Sequence, residues 1–171
     1  MAGQQISVAG LTYTSPDLAL TAPHIAEISA KLGRACGDCS LCCKILGVEE
    51  IQKPVGKWCQ HCKAGRGCLI YESRPAACQH FACQWLIDGS FGDEWKPRRS
   101  KMVPRVVERD GRLVLIIDVD REAPGAWKRE PYYEQLKARA VTMQVQVNFR
   151  NRRFAIRPNK DVEFGPDEQE N

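Results

Sequence analysis

Nine cysteines, all of them before residue 84, constrain this chain more than any other feature of its sequence. They fall into three groups: Cys36-Gly-Asp-Cys39-Ser-Leu-Cys42-Cys43, then Cys59-Gln-His-Cys62 followed by Cys68, then Cys78 and Cys83. A two-residue gap lets the backbone wrap round an ion with both sulfurs facing it, which is why this spacing recurs in zinc sites. Three such cysteines in series, Cys36, Cys39 and Cys42, match the opening of a bacterial iron–sulfur run equally well. Inert core thiols have no reason to recur at these intervals, so the spacing points to metal of either kind. The start, MAGQQISVAGLTYTSP, lacks the charged and apolar regions of a secretion signal. The expected compartment is therefore the cytoplasm, where stable disulfides are uncommon, and an odd number of cysteines leaves one over in any all-disulfide scheme.

Eight cysteines are the expected ligands: Cys36, Cys39, Cys42, Cys43, Cys59, Cys62, Cys68 and Cys78. Cys42 and Cys43 are adjacent, and in extended chain neighbouring side chains point to opposite sides, so the two are not expected to serve one ion together. Ser73-Arg74-Pro75 reads as a helix start, with Ser73 as cap, and the helix is expected to run through Cys78, Phe81, Cys83 and Trp85. Five residues of regular helix is about 140° beyond a full turn, which would put Cys83 on a different face from Cys78. Cys83 therefore stands behind the other eight. So do His61 and His80, since imidazole can replace thiolate on zinc but cysteines already outnumber one site's four positions. Trp58, Tyr71, Phe81 and Trp85 are expected to form an apolar shell, and Lys44, Lys57, Lys63, Arg66 and Arg74 to offset the charge of a thiolate cluster.

A chain of 171 residues with 43% hydrophobic side chains can build an ordinary core, so metal is not required merely to rescue a very small protein. An α+β fold is expected in four parts: a flexible tail over 1–22, a helix plus Cys-rich metal-binding module over 23–88, an α+β region over 89–160 packed on it, and an acidic tail over 161–171. From Pro23 the spacing of Ile25, Ile28 and Leu32 places one apolar face on a helix that Gly33 ends. Met102–Val107 and Arg112–Val119 are β-prone runs joined by Asp110-Gly111, a strong hairpin signal. Pro131 to Ala140 reads as a helix. Val141, Met143, Val145, Val147 and Phe149 then alternate with polar residues as a half-buried strand, which turns at Asn151 and returns through Phe154-Ala-Ile156. The second half is expected to be an antiparallel hairpin or sheet with one helix. No run approaches the roughly 18 apolar residues of a membrane span. The net charge of +4 is modest, and Arg98, Arg99, Lys101, Arg150, Arg152 and Arg153 are scattered, so a solvated face is expected rather than a nucleic-acid surface.

Cys36-x2-Cys39-x2-Cys42-Cys43, then Cys59, then GCLIYESRPAAC with Cys68, Tyr71, Arg74, Pro75 and Cys78, resemble the bacterial CxxCxxCC family, the YkgJ-type cysteine cluster proteins named for chelating zinc or iron. The resemblance covers about residues 36–86. It implies metal binding, with Cys36, Cys39, Cys43, Cys59, Cys68 and Cys78 as core positions. Some relatives carry a flagellin N-methylase label, but no Gly-rich nucleotide loop follows a strand here, so that activity is not carried over. Three functions are consistent with these residues: a protein holding an iron–sulfur cluster, one or two structural zinc sites shaping a surface for a protein partner, or an enzyme or electron-transfer partner using the cluster.

Overall fold

The computed structural model describes residues 6–8, 11–13 and 21–165. Two three-residue strands, β1 (Ile6–Val8) and β2 (Leu11–Tyr13), pair antiparallel inside the segment expected to be a loose tail. Helix α1 (Ala22–Lys31) carries a proline in its first turn, buries Ile25 and Ile28, and ends before Gly33, whose φ of +63° suits a glycine stop. Residues 41–100 hold only short pieces: α2 (Leu41–Ile45), strands β3 (Cys62–Lys63) and β4 (Gly67–Cys68), α3 (Ala76–Gln79), α4 (Gln84–Ile87) and α5 (Pro97–Ser100), with 3-10 turns between them.

The regular part of the molecule is a five-stranded sheet in the order β5 (Met102–Arg109), β6 (Arg112–Val119), β7 (Gln144–Phe149), β8 (Arg152–Ile156), β9 (Asp161–Phe164). β5 and β6 form the hairpin that the sequence announces, with Asp110 and Gly111 at φ +51° and +71° as a type I′ turn requires. The β7–β8 hairpin also forms, with Arg150 at φ +57°. Three expectations are corrected here. β6 and β7 run parallel, so the sheet is mixed rather than antiparallel; the connection between them contains helix α6 (Tyr132–Arg139), and a parallel pair needs a crossover of that kind. Residues 161–164 pair with β8 as an edge strand instead of starting the acidic tail. Val141 is 70% exposed and lies in the turn after α6, so the alternating pattern becomes strand only from Gln144.

One face of the sheet carries Leu115, Ile117, Val145, Val147 and Ile156 into the main core, where they meet Leu136 of α6 and the edge-to-face stack of Phe91, Trp95 and Tyr132. Ile25 and Ile28 of α1 and Trp85, Leu86 and Ile87 of α4 belong to the same cluster, so both halves of the chain share one core. A smaller cluster, Leu41 and Ile45 of α2 on Val103 of β5, packs α2 against the sheet. Between Ile45 and Trp85 no hydrophobic residue is buried. That stretch holds five of the nine cysteines, Cys59, Cys62, Cys68, Cys78 and Cys83, and its apolar side chains are at most partly buried.

Candidate metal centre

Local backbone features aim the thiols. Cys39 N–H donates to the Cys36 carbonyl at 2.7 Å and Cys62 N–H to that of Cys59 at 3.0 Å, so both C-x2-C pairs close as tight turns. Cys62 stands opposite Cys68 in the β3–β4 ladder, and Cys59 N–H reaches the Cys43 carbonyl at 3.0 Å, which ties this knuckle to α2. Gly67, at φ +89°, comes so close to the first cysteine loop that a Cβ there would lie 2.7 Å from the Gly37 carbonyl oxygen. The two loops can meet only because that position is glycine.

These contacts surround a cavity of about 180 Å³ whose wall contains Cys36, Cys39, Cys42, Cys43, Cys59, Cys68, Cys78 and Cys83, together with His61. Cys62 lies outside the wall, near enough to Cys43 for the two thiols to influence each other's ionisation. All nine thiols are free. Among the described residues no group of three or more Cys, His, Asp or Glu side chains is placed to hold a metal ion. His80 caps the end of α3, outside the wall, and its ligand role finds no support in this placement.

Several expectations about this segment change. The helix from Ser73 through Trp85 is broken: α3 ends at Gln79, Cys83 is extended at φ −72° and ψ 153°, and α4 starts after it. Phe81 and Cys83 turn into the small cluster around Val103, and that packing overrides the local helical pattern. Cys83 thereby joins Cys78 in the cavity wall, and the argument that set it apart fails. Ser73 does not cap α3. The Glu50 carboxylate does so, accepting from Ala76 N–H at 2.9 Å and Ala77 N–H at 2.7 Å, and so fixes the turn that carries Cys78. Cys42 and Cys43 lie on helix α2, not extended chain, so both face the cavity. Tyr71, Phe81 and Trp85 do line it, whereas Trp58 is 46% exposed and stacks near the Lys44 ammonium.

The expected counter-charges are also rearranged. Lys44 points away from the thiols to Asp120 Oδ1 at 2.8 Å and Glu122 Oε2 at 2.9 Å, joining α2 to the loop after β6. Lys57, Lys63 and Arg66 stay outside the cavity, and only Arg74 of the five lies in its wall. Lys53, which no motif marked, is there as well. It is a lone buried lysine within a polar-looking loop, legible only after Val48 and Lys53 are seen to bridge.

Burial pushes the Cys83 thiol up to about 12 and the Cys62 thiol up to about 12, the latter with help from Cys43. Burial likewise raises Cys36 and Cys78, and the Cys42 contact followed by burial raises Cys43. A bound cation reverses this preference, since a coordinating thiol is deprotonated outright. A soft, thiol-rich donor set with flanking cations suits zinc or an iron–sulfur cluster and does not suit calcium or magnesium. Comparison with protein families, with curated proteins and with solved structures finds no match to this chain. Among the described residues no helix is long and apolar enough to cross a membrane.

Proposed function

We propose that this is a metal-binding protein whose cavity holds an iron–sulfur cluster on cysteine thiolates. The observation that carries the reading is that eight cysteines from three separate stretches of sequence line one cavity. It is supported by the absence of fully buried hydrophobic residues between Ile45 and Trp85: a segment with little apolar anchorage beyond the partial packing of Leu46, Phe81, Ala82 and Cys83 gains its fixed geometry when metal bonds supply folding free energy. Cys36, Cys39, Cys43, Cys59, Cys68 and Cys78 are the ligand candidates shared by the cavity wall and the CxxCxxCC resemblance, with Cys42, Cys62 and Cys83 beside them. The resemblance rests on those motif residues alone. When bound, the cluster supplies a one-electron redox group and the cross-links that organise the segment. The chain's own part is to orient the thiols through Glu50, Gly67 and the two turns, and to limit solvent with Phe81 and Trp85.

Zinc is the second reading, favoured by one feature: the Cys59–Cys62 turn continuing into the Cys62–Cys68 ladder has the form of a zinc knuckle. Nine free thiols fit a reducing compartment such as the cytoplasm in either case. The deciding experiment is purification without oxygen, followed by iron, sulfide and zinc determination per chain. A brown protein absorbing near 400 nm with iron and sulfide in equal amounts bears out the cluster. A colourless protein retaining zinc selects the second reading, and a chain that binds neither metal overturns both.

A further inference from the structure

The wall of the cysteine cavity contains two cations and, among the described residues, no carboxylate. Lys53 is only 6% exposed. Its ammonium donates to the Lys44 carbonyl at 3.1 Å and to that of Leu46, and among the described residues it forms no ion pair. The Val48–Lys53 bridge, turning at Gln52 with φ +51°, holds it there. Arg74 stacks its guanidinium on the Tyr71 ring at 3.9 Å, and its buried Nε has no hydrogen-bond partner. The wall thus presents a buried ammonium held by carbonyls with no carboxylate beside it and a guanidinium N–H with no acceptor, and a cavity with such groups in its wall suits an anion.

We infer that Lys53 and Arg74 are the counter-ions of the metal centre and that they limit the cavity to one centre held by four thiolates. This rests on the metal-binding reading above. A Zn2+ ion or a [4Fe–4S]2+ core held by four thiolates carries a net charge of about −2, which two cations neutralise. Two such centres would leave about −2 uncompensated in a space of low dielectric, where unbalanced charge is costly. Arg74 Nε–H has a thiolate or sulfide sulfur to donate to, and such bonds together with net charge set a cluster's reduction potential.

The test loads the full chain without oxygen, with ferrous iron and sulfide in one arm and Zn2+ alone in the other, and measures metal per chain in the wild type. It then compares Lys53→Met with Lys53→Arg, and Arg74→Gln with Arg74→Lys. The expected loading is at most four irons, or one zinc, per chain. In the iron arm each charge-removing variant lowers the reduction potential, because the added electron loses a nearby cation, while each charge-conserving variant stays near the wild type. In the zinc arm the same pairs differ in how readily a chelator removes the metal. Eight irons or two zincs per chain would overturn the one-centre limit. If Met and Arg at position 53, and Gln and Lys at 74, behave alike, the counter-ion role is wrong although metal binds. Uptake of neither metal by the wild type would instead strike the underlying reading.

Discussion

Replacing Lys44 with methionine tests how the cysteine segment is anchored to the sheet. The lysine ammonium sits 2.8 Å and 3.1 Å from the two Asp120 carboxylate oxygens, and Lys44 and Asp120 are 7% and 4% exposed. Glu122 also reaches the ammonium, but its side chain is 80% exposed, so its share is that of a surface pair, about 1 kcal/mol at most. Removing the amine leaves Asp120 buried, its carboxylate still accepting one hydrogen bond, from the Glu122 N–H at 3.1 Å. An uncompensated buried charge of this kind costs about 3–5 kcal/mol. Lys44→Met should therefore lower the urea midpoint by that much free energy at unchanged slope. The double variant Lys44→Met with Asp120→Asn should recover part of the loss, since no charge is then stranded. Because Lys44 sits on α2 between Cys43 and Ile45, the single variant should also retain less metal. A single-variant cost below about 1 kcal/mol, or a double variant equal to the sum of the singles, would refute the buried-pair reasoning.

Cys39→Ser and Cys78→Ser should each lose bound metal, and Cys83→Ser should also weaken retention because Cys83 shares the cavity wall; full retention in a metal assay of all three would defeat the assignment. Gly67→Ala should separate the two cysteine loops, given its φ of +89° and the 2.7 Å approach to the Gly37 carbonyl. Metal content should fall while the circular dichroism of the sheet persists; an alanine variant with wild-type metal content would count against the close approach. In the metal-free protein the Cys36, Cys43, Cys62, Cys78 and Cys83 thiols hold their protons above the ordinary cysteine pKa, with Cys62 and Cys83 up to about 12. Their contribution to stability is complete below about pH 8.5 and is lost as pH rises toward about 12, so the thermal midpoint should fall between neutral pH and pH 10; a flat profile would contradict the raised thiols.

Local signals carried the parts of the fold that local chemistry decides. Asp110-Gly111 set the β5–β6 turn, and the Ile25, Ile28 spacing with Gly33 set α1 and its end. The parallel pairing of β6 with β7 was not legible, because register between distant strands comes from shared burial of pairs such as Leu115 with Val145 and Ile117 with Val147. The break between α3 and α4 has no glycine or proline to announce it; it follows from Phe81 and Cys83 packing toward Val103. Around the cavity, cysteine spacing picked out the thiols, since thiols at ligand intervals are rare for any other reason. Glu50 and Lys53 carried no such mark. A carboxylate that caps a helix 26 residues away and a lysine turned inward by a six-residue loop are properties of tertiary contact.

The most direct test of the metal-centred account is amide hydrogen exchange across the chain, before and after the metal is stripped by a chelator. Residues 46–82 bury no hydrophobic side chain, while β5 to β8 share the main core with α1, α4 and α6. The account predicts that stripping collapses protection between residues 46 and 82 while the strands stay protected, because only the former relies on metal bonds for its order. Equal protection of residues 46–82 with and without metal would contradict it.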